Sequence, residues 1–255
     1  MKMPRIAVAL CLLGVIALGT AAQIWAAPQQ IRRCTTISKS GSYELGRNLD
    51  AVGDCLVITT DYVTLDLAGF TIRGNSTGRG IVALIDDLQP DRKAITVRNG
   101  MVRNFAIGVD LSNVVLAMAE RLTVSENSNT GLSVGAWAQV RDCLAQGNGT
   151  GISSGASTVL TRNVATFNTG IGIQAGYNCT LTENIAQENG THGFQVSNGS
   201  NVFSNTSSSH PQAGFQVVCP SNIMGNTASF NSTAYELSSP SECNFVNNVP
   251  ALTGD

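Results

Sequence analysis

The chain has 255 residues, of which only 13% are charged, with 26 glycines and a formal net charge of −2. Apolar residues make up 43% and recur too regularly for a disordered chain. The weakly acidic balance excludes nucleic acid as a partner, because affinity for phosphate is carried by Lys and Arg.

The N-terminus reads MKMPRIAVALCLLGVIALGTAAQIWAAPQQ: two cations (Lys2, Arg5), an apolar run from Ile6 to Leu18 and a small-residue exit at Ala26 and Ala27. This predicts a secretory signal over 1–26. The apolar run is shorter than the ~20 residues of a spanning helix, so no stable membrane span is expected once the signal is removed. Removal takes the net charge to −4 and leaves six cysteines: Cys34, Cys55, Cys143, Cys179, Cys219 and Cys243. An even count in an exported chain favours disulfides. Cys34 with Cys55 would staple an N-terminal cap over 27–54, Cys219 with Cys243 would close the other end, and Cys143 with Cys179 would span nearly two repeats. No cysteine or histidine spacing matches a zinc site.

From Asn99 onward the chain repeats itself every 20 to 23 residues. One column holds Asn99, Leu122, Cys143, Asn163, Asn184, Asn205, Asn226 and Asn247. Five residues on, a second holds Asn104, Asn127, Asn148, Asn168, Asn189, His210 and Asn231. A third is apolar: Val109, Leu132, Ile152, Ile173, Phe194, Phe215 and Tyr235. Repeats this short and numerous signal a solenoid. Each repeat alternates apolar and polar residues over short runs with Gly or Asn at the joints, which predicts three short strands per repeat. Asn suits sharp bends because it tolerates left-handed backbone, and stacked amides can hydrogen-bond between coils.

The expected fold is all-β, a parallel β-helix of about eight coils over 55–248 with a short tail over 249–255. With these columns in place, the segment YVTLDLAGFTIRG (62–74) is similar to the first coil of many proteins of the pectin-lyase-like superfamily. That resemblance implies a right-handed parallel β-helix. It does not imply one activity, since the scaffold carries lyases, hydrolases, epimerases, adhesins and non-catalytic proteins.

In the pectin-degrading relatives the outward face of the first sheet holds the active site. The matching outward column here is Asp110, Ser133, Ser153, Gln174, Gln195, Gln216 and Glu236. Ser133, Ser153, Gln174, Gln195 and Gln216 form a polar stripe suited to sugar hydroxyls, which makes polysaccharide the expected partner. Outward positions on a solvated sheet are polar in any case, and stacked Gln residues can simply form an amide ladder. Paired carboxylates for glycoside hydrolysis are missing, since Asp110 and Glu236 are six coils apart, roughly 29 Å at the strand spacing. After Arg121 the only cations are Arg141 and Arg162, against seven acids, a balance that repels a polyuronate.

Three weaker catalytic or metal readings remain. The insertion DDLQPDRK (86–93) offers Asp86, Asp87 and Asp91, which with Asp110 could hold calcium, while Arg92 or Lys93 could transfer a proton. His192 and His210 fall in the same connection of neighbouring coils and could titrate near neutral pH or share a metal. A resemblance to periplasmic β-helix proteins of copper-enzyme maturation would need a surface cluster of His, Met or Cys, for which the mature chain has few residues. Asp66, in TLDLAGF, is expected to accept turn hydrogen bonds, and Arg98, Arg121, Asp142, Arg162 and Glu183 are expected to form one ladder of alternating charge from Arg121 onward.

Overall fold

The computed structural model describes residues 27–85 and 91–250. The expected signal over 1–26, the insertion residues 86–90 and the tail residues 251–255 lie outside the described residues. Ten parallel strands, from Thr35–Ile37 through Ile107–Leu111 to Thr233–Leu237, stack in sequence order into one sheet. Two further walls are joined into an 18-stranded network, because Thr96–Arg103 and Met118–Ser125 each bend across a corner and serve both walls. One short 3-10 turn, Pro240–Glu242, interrupts the last coil.

The result is a parallel β-solenoid of about ten turns rather than eight. The difference lies at the N-terminus. Residues expected to cap the solenoid supply Gln29–Ile31, Thr35–Ile37, Gly41–Leu45 and Leu49–Asp50, which pair in register with the following strands. These strands lack the Asn columns, so the repeat pattern does not count them.

Alternation decides what each wall buries. On the ten-stranded sheet Val109, Leu132, Ile152, Ile173, Phe194, Phe215 and Tyr235 lie in register and form one side of the core. The rings of Phe194 and Phe215 stack at 4.7 Å and those of Phe215 and Tyr235 at 5.2 Å. The second wall contributes Val140, Leu160, Leu181, Val202 and Ile223, all buried. The third contributes Ile72, Val102 and Val124 and then small residues, Ala145, Ala165, Ala186, Ser207 and Ala228, so that along these later coils it can approach the other two closely.

The asparagine columns do more than turn the chain. Asn163, Asn184, Asn205, Asn226 and Asn248 are buried, and each of the first four donates its backbone N–H and its Nδ2–H to the Oδ1 of the next at 2.9–3.0 Å. The left-handed backbone belongs mostly to the residue before: Asp142, Arg162, Glu183 and Ser204 have φ between +52° and +57°. Asn99 and Asn247 are among the left-handed residues themselves, so the ladder positions at the column ends are Gly100 and Asn248. The second ladder runs Asn127, Asn148, Asn168, Asn189. Glycine fits beside it because a Cβ on Gly172 would stand 2.6 Å from Asn189 Nδ2 and 2.7 Å from the Gly193 carbonyl.

Two disulfides form, Cys34–Cys55 and Cys219–Cys243. Each closes a loop of just over twenty residues, worth about 3 kcal/mol on the loop-entropy account, and each ties a terminal coil to its neighbour. The third expected pairing does not form: Cys143 and Cys179 are free and buried. They sit at different corners and serve different ladders, the Cys143 N–H donating to Asn163 Oδ1 and the Cys179 N–H to Ser200 Oγ, both at 3.1 Å. Burial pushes the Cys143 thiol up to about 12 and raises that of Cys179 as well, so neither is a reactive thiolate.

Candidate functional site

The outward stripe of the ten-stranded sheet is continuous. Asp110, Ser133, Ser153, Gln174, Gln195, Gln216 and Glu236 are Cα partners in unbroken register. Gln174 Nε2 donates to Gln195 Oε1 at 3.0 Å, and Gln195 Nε2 donates to Gln216 Oε1 at 2.7 Å. Gln174 and Gln195 each commit one N–H in this way while Gln216 only accepts, which leaves further N–H groups and spare oxygen lone pairs for a ligand. From Ser153 to Gln216 the stripe lies in an open groove of about 330 Å³, floored by Ser153, Gln174, Gln195 and Gln216 and bordered by Gly176, Ser197 and Val218.

Carboxylates mark both ends. Asp110 is held by Ser112, whose Oγ–H donates at 2.7 Å, and lies 3.5 Å from the Arg79 guanidinium. Arg79 also pairs with Asp54 at 2.8 Å, which lowers the Asp54 pKa and raises that of Arg79. Of the expected calcium ligands, Asp86 and Asp87 lie outside the described residues. Asp91 is exposed, and Asp110 is already engaged by a cation. Arg92 and Lys93 form a short strand paired with Val114–Val115. The Arg92 side chain is buried and its Nε–H donates to the Leu84 carbonyl at 2.7 Å, bracing the base of the insertion.

The two histidines part company. His210 occupies a ladder position and takes over an asparagine's backbone acceptor and side-chain donor roles, without accepting the preceding amide's Nδ2–H. Its Nδ1 accepts the Asn189 N–H at 3.0 Å, and its Nε2–H donates to the Ala186 carbonyl at 3.2 Å, where the neighbouring rung sends Asn189 Nδ2 to Ala165. His192 instead lies beside the groove, its Nε2 3.8 Å from the Glu236 carboxylate. Among the described residues no group of three or more His, Cys, Asp or Glu side chains is placed to hold a metal.

Burial lowers the His210 pKa, and protonating Nδ1 would set a donor against the Asn189 N–H. The unfolded imidazole takes up its proton near pH 6.5 and the folded one at lower pH, so acid favours the unfolded chain. Stability is therefore expected to fall as pH drops through about 6.5 and to level off below the folded pKa. His210→Asn, which restores the ladder, is expected to lose that increment in urea titrations from pH 7.5 to 5; an unchanged slope would place the titration elsewhere.

No protein-family profile and no curated protein matches the sequence. Solved structures do match in shape. A double mutant of the periplasmic alginate epimerase AlgG superposes with a TM-score of 0.62 at 12% identity, over 84% of this chain and 70% of that one. The enzymatically active domain of tailspike protein 2 from bacteriophage CBA120 superposes with a TM-score of 0.56 at 14% identity, over 83% of this chain and 40% of that one. The fold is that of a parallel β-helix. At these identities the likeness covers the fold alone.

Elsewhere on the β-helix, one polar cluster escaped the sequence reading. Glu120 is 3% exposed, and its carboxylate receives Arg121 and Arg141 at 2.8 Å with Arg98 at 4.0 Å. The expected single charge ladder is two. Arg98 belongs with Asp66, Glu120 and Arg141 on the strand face, whereas Arg121, Asp142, Arg162 and Glu183 follow Asn99 at the corner. Asp66 accepts the Ala68 N–H at 2.8 Å and also binds Arg98 and Asn99, as a turn-bracing carboxylate does. Pairing Glu120 with Arg98 and Arg141 at one coil's separation was the signal available. The arginines are partly exposed, so this network braces three coils and contributes modestly to stability.

Proposed function

We propose that the protein is an exported β-helix that binds polysaccharide without turning it over, along Ser133, Ser153, Gln174, Gln195 and Gln216. The observation that carries this reading is the hydrogen-bonded run Gln174–Gln195–Gln216 on the floor of an open groove. Its free amide edges repeat at the coil spacing, and an extended polymer presents hydroxyl pairs at regular intervals to match them. The two disulfides support an oxidising compartment. Among the described residues no helix is long and apolar enough to cross a membrane. The solved proteins of like shape include an alginate epimerase and a tailspike's enzymatically active domain, which supports a glycan partner.

A second reading, a polysaccharide epimerase, lyase or hydrolase, rests on one observation. His192 and Glu236 approach to 3.8 Å where the groove ends at Gln216, and they offer a base and an acid there. Asp110, on the earlier coils, is tied to Arg79 and too far from Glu236 to cooperate with it.

The test is a panel of neutral and uronic polysaccharides assayed for binding and for shortened or unsaturated products. The wild type is compared with the triple variant Gln174→Ala, Gln195→Ala, Gln216→Ala. Binding without products, reduced at least tenfold in the triple variant, is the expected result. Products that vanish in His192→Ala would establish the second reading, and affinity untouched by the triple variant would move the binding surface off this sheet.

A further inference from the structure

Large apolar side chains gather on the corner that borders the groove. Tyr62, Leu116, Trp137 and Tyr177 are between 58% and 62% exposed, and all lie in the turns that leave the ten-stranded sheet. Tyr177 directly follows Gly176, which lines the groove. The Trp137 N–H donates to the Ala156 carbonyl at 2.9 Å and the Ser157 N–H to the Tyr177 carbonyl at 2.7 Å. Trp137 and Tyr177 are therefore two coils apart, about 10 Å along the stack at the strand spacing, with Tyr177 one residue before the turn position that Trp137 occupies and only the short side chains of Ala156 and Ser157 on the coil between.

The fold uses a left-handed residue at the turn of Trp137 on successive coils, and it does not require a large ring there. Its φ is +54°, and the matching residues of the three preceding coils, Tyr62, Ala94 and Leu116, are left-handed as well. The same turn position is Ser157, Asn178 and Gly199 on the next three coils. Exposed rings recur at left-handed positions, as at Tyr62 and Phe230, so what sets Trp137 apart is its place one coil before Ser153, where the groove begins, and the second ring, Tyr177, on the coil of Gln174.

We propose that Trp137 and Tyr177 form a stacking shelf for the pyranose rings of a neutral, extended glycan whose hydroxyl edges face Ser133, Ser153 and Gln174 beside the shelf and run on over Gln195 and Gln216. This rests on the groove reading above and deepens it. Pyranoses with equatorial substituents present apolar C–H faces, which an aromatic π face accepts, and polar edges, which amides accept. An extended two-fold chain shows the same ring face at every second sugar, and the two-coil step from Trp137 to Tyr177 has the length of that disaccharide. The stripe from Ser133 to Gln216 carries no charge and ends in Asp110 and Glu236, which disfavours uronate along its length.

Trp25 and Trp137 are the only tryptophans in the chain, so the full chain carrying Trp25→Phe reports on Trp137 alone. The probes are β-1,4-linked glucan and N-acetylglucosamine hexasaccharides, with oligomannuronate as the charged comparator. Addition of a neutral hexasaccharide is expected to shift Trp137 emission and to protect it from acrylamide. Trp137→Asn is expected to weaken binding about tenfold, measured by calorimetry, while melting at the same or a higher temperature. Phe230, 89% exposed and left-handed on another corner, supplies the control: Phe230→Asn is expected to leave affinity unchanged. Neutral-glycan binding that is lost in the triple glutamine variant but kept in Trp137→Asn would overturn the shelf and leave the groove. Silence with every probe would overturn both, and a Trp137 response to oligomannuronate alone would overturn the neutral class.

Discussion

Asn184→Leu is expected to destabilise the protein by about 4 kcal/mol, although the two side chains branch alike and have the same number of heavy atoms. Asn184 is fully buried. Its Oδ1 accepts both the N–H and the Nδ2–H of Asn163 at 2.9 Å, and its Nδ2 donates to the Leu160 carbonyl and to Asn205 Oδ1, each at 2.9 Å. Leucine answers none of these, so two donors on Asn163 and an acceptor on each of Leu160 and Asn205 lose a partner where water does not reach. Each orphaned buried group costs about 1–3 kcal/mol, and relaxation offsets part of the sum. Asn201, which accepts from Asn222 Nδ2 at 2.8 Å on the exposed side of the solenoid, is the comparison. Water replaces that bond, so Asn201→Leu is expected to change stability by no more than about 0.5 kcal/mol. Urea melts of the two variants test the contrast, and equal losses would mean that the buried ladder is a consequence of coil stacking rather than a cause of it.

That ladder also shows how far the sequence could be read. Recurrence at 20 to 23 residues located the corners and the alternation located the walls, so the seven-residue outward stripe emerged in the right register from spacing alone. Spacing could not say which of two adjacent corner residues points inward. In the coil of Asp142 and Cys143, in that of Arg162 and Asn163 and in that of Glu183 and Asn184, the first takes the left-handed backbone and the second turns into the ladder. A one-residue offset carried Asn99 and Asn247 into the wrong column, and the same offset placed Arg121 where Glu120 pairs with Arg98 and Arg141. His210 was in the right column, yet its titratable ring suggested chemistry; only its two partners, Asn189 and Ala186, reveal that it is doing an asparagine's work. Trp137 carried no sequence signal because its meaning lies in a ring two coils away and in a groove that begins on the next coil.

The other large effect is expected from Phe215→Ala. Phe215 is fully buried between Phe194 at 4.7 Å and Tyr235 at 5.2 Å, and truncating such a ring costs about 3–5 kcal/mol through lost transfer energy and the cavity left behind. A solenoid coil has only its two neighbours to lean on, so the loss falls on the adjoining coils instead of spreading through the fold. Tyr235 then loses its stacking partner while its hydroxyl still donates to the Asn226 carbonyl at 2.9 Å, and Cys219–Cys243 still tethers the last coil. The expected result is a large fall in denaturant midpoint, with hydrogen exchange speeding up over residues 213–246 more than over 130–154. Phe215→Leu keeps most of the volume and is expected to cost less than about 1.5 kcal/mol. Because Gln216 is the next residue on the same strand, its outward amide is held in the 2.7 Å bond from Gln195 by the ring that its neighbour buries. Glycan affinity is therefore expected to fall in Phe215→Ala and to survive in Phe215→Leu, even though neither substitution touches the groove. Affinity lost equally in both would mean that the amide run depends on the ring itself rather than on the volume it fills.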